Sequence, residues 1–293
     1  MLPDVSLTAF HVAANRALET QRPDRLFADP FATGFLAAAP VTMWAAPGPD
    51  QGRRRGLSAW ITVRTRFLDD LLLDACAGGI RQVVIFGAGL DARAFRLGWP
   101  EGVHLFELDM PGVLSFKEEV VRAARWRPAC ERVVIPVDLS EDWGGPLVAA
   151  GLDDSLPVVF VAEGLLAYLS REAGDALVEQ AAEMSPPGSR FGLTLASSRR
   201  LQAWREAHPD STGGDDYVAL WRSADAERAI DWLASFGWRA RVFDVRERSA
   251  AYGRPLAAPS HSESSGAQAG PGDQVAGAVA GDSGARLVDA EHL

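Results

Sequence analysis

Apolar and polar positions repeat in two rhythms along this chain. Residues 58–77, "SAWITVRTRFLDDLLLDACA", place apolar side chains at helical spacing and stop at Gly78-Gly79, which predicts an amphipathic helix. Residues 6–20, "SLTAFHVAANRALET", predict an earlier helix with Ser6 as its N-cap. Between the two, "RPDRLFADPFA" carries Pro23 and Pro30 and predicts a break in regular structure. Short apolar runs then predict strands at 82–86, 103–108, 133–137, 157–162 and 189–195. Helices are expected between them at 91–97, 111–126, 143–150 and 171–184, followed by a helix at 224–236 and a strand at 238–245. This alternation indicates βαβ units around a parallel sheet with helices on both faces, an α/β fold.

From 257 the chain becomes rich in Gly, Ala and Ser and lacks aromatic residues. Such a segment buries too little apolar area to offset chain entropy, so 257–293 is expected to be a disordered tail behind a folded domain at 1–256.

Composition narrows the partners. The 293 residues are 47% apolar, enough for a full core, and the net charge is −10 with no basic block. Nucleic acid and anionic membrane surfaces are therefore not expected partners. Positive charge is almost all arginine; the single lysine, Lys117, is expected on the outer part of a helix. Cys76 and Cys130 form no CxxC and have no histidine pair nearby, which argues against a zinc site and a disulfide framework. The N-terminus lacks signal-peptide regions and no run of ~18 apolar residues occurs, so a cytoplasmic protein is expected.

The candidate chemistry lies just after strands, where open parallel sheets bind ligands. "VVIFGAGLDARAF" sets Gly87-Ala88-Gly89 against the end of the first strand, and glycines let backbone approach a ligand closely. Read through Ala92 the stretch also satisfies a relaxed dinucleotide fingerprint, with an ordinary turn capped by Asp91 as the plain alternative. Asp109 closes "LFELD", 22 residues after Gly87, where an acid can bind ribose hydroxyls or cap the helix that opens at Pro111. Both features suit a nicotinamide dinucleotide and S-adenosylmethionine equally.

Asp138-Leu139, ending "VVIPVDLS", separates the two. A carboxylate there can accept from the adenine amine while a neighbouring N–H donates to a ring nitrogen, as in S-adenosylmethionine enzymes; a solvated turn is the alternative. Glu163 follows the apolar strand "PVVFVA", where an unpaired acid is costly, and a ligand ammonium or an arginine would satisfy it. Arg64 shares the apolar face of Trp60, Val63, Phe67, Leu68 and Leu71. Its partner is either a ligand carboxylate or an acid such as Glu107 or Glu163. Hydride transfer lacks parts: no Tyr-x-x-x-Lys occurs, and His11, His104 and His208 are the histidines of the folded region. The balance favours methyl transfer, with an NAD(P)-dependent oxidoreductase and a non-catalytic binding protein as the competing classes.

Five ordered motifs, "QVVIFGAGLDARAFRL", "FELDMPGVLSFKEEV", "IPVDLSEDW", "VAEGLLAYL" and "WLASFGW", resemble the leucine carboxyl methyltransferase-like family of class I methyltransferases. The likeness runs from about 6 to 256. It implies a Rossmann-like, seven-stranded, mostly parallel sheet whose last strand is antiparallel, with residues 1–57 as a helical cover on the substrate side. It also implies S-adenosyl-L-methionine as cofactor and no metal. Arg64 would then hold the methionine carboxylate, Gly87 would lie under the methionine part, and Gly89 would share the cofactor site. Asp109 would bind ribose, Asp138 and Leu139 adenine, and Glu163 the methionine amine. Ala92 departs from the family, which carries threonine there. The implied activity is O-methylation of a small molecule such as a polyketide. A carboxylate acceptor needs no base, whereas a phenol or alcohol would call on His11 or His208. Residues 6–35 and 200–222, with Trp204, Tyr217 and Trp221, would roof the pocket.

Overall fold

Alternate residues of each central strand enter two different apolar layers, which is how the sequence covers both faces of one sheet. The computed structural model describes residues 4–39, 51–197, 226–256 and 285–293, together with positions 202 and 206. Its elements in chain order are α1 (Asp4–Thr20), α2 (Pro30–Ala38), α3 (Gln51–Ala77), β1 (Gln82–Phe86), α4 (Arg93–Arg96), β2 (His104–Asp109), α5 (Pro111–Ala124) and β3 (Glu131–Pro136). There follow α6 (Gly144–Ala149), β4 (Val158–Ala162), α7 (Arg171–Glu183), β5 (Arg190–Leu195), α8 (Ala229–Ala234), β6 (Trp238–Asp244), α9 (Val245–Ala251) and β7 (Arg286–His292).

The sheet has seven strands in the order β3-β2-β1-β4-β5-β7-β6. Strands β1 to β5 pair in parallel, while β7 runs antiparallel to both β5 and β6. Val83 and Ile85 of β1, with Val159 and Val161 of β4, pack under the layer that holds α1, α2 and α3. Val84 and Phe86, with Val158 and Phe160, face the layer of α6, α7 and α8. Phe86 and Phe160 stack there with ring centroids 5.4 Å apart, and Trp143 meets Phe86 edge-on. Strands buried on both faces read as continuous apolar runs, and that is why β1 and β4 were visible in the sequence.

Three expectations need correction. The stretch from 257 to the C-terminus is not all tail: Arg286–His292 is the antiparallel seventh strand, inserted between β5 and β6. Its Leu287, Val288 and Ala290 are fully buried, so these few residues belong to the core despite following a Gly/Ala/Ser-rich stretch. Residues 257–284 lie outside the described residues.

Lys117 does not face outward. It is fully buried and donates to Glu107 Oε2 at 2.6 Å, and Arg132 donates to the same oxygen at 2.8 Å. A charge so deep needs a partner, and a β2 residue ten positions earlier supplies it.

Pro30 opens a helix instead of breaking one. Proline at the first helical position loses an N–H that would have had no intrahelical partner, and Asp29 Oδ1 accepts the Ala32 N–H at 3.1 Å. The resulting α2 packs through Phe35 on Trp126, edge to face at 5.0 Å, and its Gly34 leaves the room that ring needs. Helix α1 thus meets the carboxyl edge of the sheet at the Gly89 turn, while α2 rests on Trp126 beyond the end of α5. Helix α3 starts at Gln51, earlier than expected, and α4 is a single short turn.

Candidate functional site

Register brings the predicted strand ends together. Phe86 is paired with Leu108 and with Ala162, and Asp109 with Pro136, so β3, β2, β1 and β4 finish side by side. Gly87, Asp109, Asp138 and Glu163 therefore open on one edge of the sheet. His104, by contrast, begins β2 at the opposite end of that strand.

The glycine turn is built for close approach. Gly87 and Gly89 have φ of 61° and 46°, a region side-chain-bearing residues rarely adopt. A Cβ on Gly87 would stand 3.0 Å from Leu165, and one on Gly89 would stand 3.5 Å from the Ala9 Cβ of α1. Asp109 ties this turn to β2: its Oδ2 accepts the Gly89 N–H at 2.6 Å and its Oδ1 the Met110 N–H at 2.7 Å. It does not cap α5, whose N-cap is Met110. Burial pushes the Asp109 carboxyl above its ordinary 3.8, against the pull of those two N–H donors.

Asp138 is held at the next tip. Its Oδ1 accepts both the N–H of Ser140 at 2.9 Å and its hydroxyl at 2.7 Å, which lowers its pKa and keeps it ionised. No described residue donates to Oδ2. Leu139 beside it is buried.

Glu163 takes the arginine alternative. Oε1 accepts from Arg64 Nε at 3.0 Å and the Thr65 hydroxyl at 3.3 Å, while Oε2 lies 3.1 Å from Arg16 Nη2 and 2.7 Å from Arg93 Nη1. Four donors match the roughly four lone-pair directions of a carboxylate, so none is left to point at a ligand amine. Burial alone would raise its pKa, but Arg93, Arg16 and Arg64 outweigh it and hold the group well below 4.5.

Arg93 is the hub of this cluster. It is fully buried and also reaches Asp69 Oδ1 at 2.7 Å and Asp91 Oδ2. Asp91, expected as a cap, does accept the Arg93 N–H at 2.7 Å, but its other oxygen serves the guanidinium.

Arg64 is anchored at one nitrogen only. Nε belongs to Glu163, and no described residue accepts from Nη1 or Nη2. Trp60 lies beneath the guanidinium, 5.8 Å from ring centroid to Cζ. A Cβ on Gly164 would fall 2.8 Å from Nη1. Gly164, with φ 65°, is thus a site residue that sequence reading missed, although its place directly after Glu163 was the available signal.

Arg16 and Arg93 were also missed. Glu163, the acid that joins them, follows a strand distant in the chain from both, so their spacing does not mark them. His11 is exposed on α1, and His208, Trp204, Tyr217 and Trp221 lie outside the described residues, as does the span 207–222. No group of three or more His, Cys, Asp or Glu that could hold a metal occurs among the described residues, nor a helix long and apolar enough to cross a membrane.

Strand order, parallel pairing and the reversed last strand are those of class I methyltransferases. A solved Thermobifida fusca protein named "putative methyltransferase" superposes with a TM-score of 0.53 at 16% identity, over 96% of this chain and 94% of its own. Magnesium protoporphyrin IX methyltransferase of Synechocystis PCC 6803, solved with bound SAH, gives 0.51 at 12% identity, over 89% and 94%. At such identities the likeness establishes the fold.

Sequence relatives narrow the class. Residues 9–182 match the leucine carboxyl methyltransferase family. A Streptomyces avermitilis protein is 46% identical over 261 residues, 87% of this chain and 90% of its own. A Streptomyces coelicolor protein is 45% identical over 265 residues, 88% and 92% respectively. Both are named "Putative S-adenosyl-L-methionine-dependent methyltransferase". The chain belongs to the leucine carboxyl methyltransferase family.

Proposed function

We propose that this member of the family is an S-adenosylmethionine-dependent O-methyltransferase that esterifies a carboxylate of a small molecule such as a polyketide. The methyltransferase class comes with the family; the acceptor is our reading. The observation that carries the site assignment is the free end of Arg64. A buried guanidinium with Nε fixed by Glu163 and both Nη atoms open is a ready fork for a ligand carboxylate.

The remaining residues fit the same ligand. Arg64 would hold the methionine carboxylate, beside the turn that Gly87 and Gly89 form. Asp109 would accept from ribose hydroxyls through the lone pairs that Gly89 and Met110 leave unused. Asp138 Oδ2 would accept from the adenine amine, with Leu139 beside the ring. Glu163 acts through Arg64 by orienting it, instead of binding the amine directly.

When bound, S-adenosylmethionine supplies a methyl group on a positively charged sulfur. The chain's part is to align an acceptor oxygen with that methyl group and to exclude water, and alignment alone is worth up to ~7–11 kcal/mol. A carboxylate acceptor is ionised at neutral pH, since such groups titrate near ~4, so no base is required. This accords with a described site edge that holds arginines and acids. The net charge of −10 favours a small-molecule acceptor over nucleic acid.

Thermal shift with S-adenosylhomocysteine tests the cofactor, because a ligand at 100 times its Kd adds ~2.7 kcal/mol of stability. A flat response to it, with stabilisation by NAD(P), would reverse the reading in favour of an oxidoreductase. Transfer of labelled methyl from the cofactor to an acceptor panel tests the chemistry. Carboxylate acceptors should yield esters that release label as methanol in mild base; label that resists base would instead mark a phenol or alcohol as the acceptor.

A further inference from the structure

The cover helix α1 carries a guanidinium that reaches the same acid as Arg64. Arg16 is 4% exposed; its Nη2 lies 3.1 Å from Glu163 Oε2 and 3.8 Å from Asp91 Oδ2. Two turns earlier on the helix, about 10 Å away, Ala9 abuts the Gly89 turn. One rigid helix therefore rests on the turn after β1 at one point and on the acid after β4 at another. Its buried neighbours Ala13 and Ala17 pack by apolar contact, while Glu19, one turn on, is a second buried charge and pairs with Arg254. An apolar side chain at 16 could have served stability as well as a buried ion pair does, so the charge needs another reason.

The partition of Glu163 supplies one. Oε1 holds Arg64 and Thr65, while Oε2 holds Arg16 and Arg93. Without Arg16, Oε2 keeps Arg93 alone, and one of the two contacts that turn it away from the open Nη atoms of Arg64 is gone. Helix α1 would at the same time lose the contact that sets its height over Gly89.

We propose that Arg16 is a positioning residue for the cofactor site, fixing α1 over the glycine turn and holding Glu163 in the orientation that leaves Arg64 open to a carboxylate. The inference rests on the methyltransferase reading above. It makes Arg16 and Arg64 a pair that works through one shared acid.

Calorimetric titration of S-adenosylhomocysteine into the full chain tests it, with Arg16→Met and Arg16→Lys beside wild type. A charge-assisted hydrogen bond is worth about ten- to a hundredfold in an equilibrium, so Arg16→Met should weaken binding about tenfold or more, with partial recovery in the lysine variant. Arg254→Met is the structural control. Arg254 grips the same end of α1 through Glu19, at 2.8 and 3.1 Å, but does not touch Glu163. It should lower the melting temperature and leave affinity unchanged.

Equal affinity in wild type and Arg16→Met, or equal losses in Arg16→Met and Arg254→Met, would overturn the inference while leaving the cofactor reading intact. Absence of binding by wild type would overturn both. If Arg16→Met does not fold, the lysine variant decides: it keeps the charge but loses the fork, and undiminished affinity there would count against positioning.

Discussion

Asp109 Oδ2 accepts the backbone N–H of Gly89 at 2.6 Å, which locks the tip of β2 to the turn after β1. The acid expected to grip a ribose is also the brace of the glycine turn. Asp109→Ala should thus weaken S-adenosylhomocysteine binding by more than the loss of one ligand contact, about tenfold or more. The asparagine variant, which retains an acceptor, should lie between, and calorimetry reads both. Burial raises the Asp109 pKa above 3.8, and the ionised form is the acceptor. Affinity should therefore fall with decreasing pH at values above those of an ordinary aspartate. A titration flat down to pH 4 would contradict this.

Gly164→Ala puts a methyl 2.8 Å from Arg64 Nη1 at a residue with φ 65°. Strain of this kind costs about 1–3 kcal/mol, and the guanidinium must shift to admit the methyl. We expect lower stability in urea together with weaker cofactor binding. Loss of stability with unchanged binding would separate Gly164 from the site.

Glu163→Gln leaves Arg16, Arg64 and Arg93 without their shared charge, and breaking such a buried pair costs about 3–5 kcal/mol at neutral pH. The folded pKa of Glu163 lies well below 4.5, so its contribution is present above 4.5 and is lost as pH falls through the folded value. The stability gap between wild type and the glutamine variant should accordingly narrow below pH 4.5. Urea melts at pH 7 and in the acid range would measure it, and a constant gap would contradict the pairing.

Truncation after residue 284 removes β7, which pairs with β5 on one side and β6 on the other. The loss opens two strand edges and uncovers Leu287 and Val288 partners in both apolar layers. The truncated chain should fail to give a cooperative thermal transition in circular dichroism. A native-like melt would show that β7 is dispensable.

The strands were legible where burial on both faces makes a sequence uniformly apolar, as at 82–86, which is β1 to the residue. Acids and glycines directly after such runs could be placed for the same reason, and Gly87, Asp109 and Asp138 do share one edge. Strand β7 was hidden because "RLVDAEH" is more than half polar and follows a stretch rich in Gly, Ala and Ser. Its pairing partner Arg190 lies far upstream of Glu291. Pro30 misled for a local reason: one residue both ends helices and starts them, and the neighbouring Asp29 cap decides which.

By itself the sequence determined the alternation of strands and helices, and hence which residues stand at strand ends, since both follow from local periodicity. Tertiary structure alone decided who pairs with whom. Glu163 could have met a ligand amine or an arginine, and Lys117 could have faced water; folding gave them Arg16, Arg64 and Arg93 in one case and Glu107 in the other. The reason is desolvation, which makes a buried charge depend on a partner that the chain brings from a distant segment.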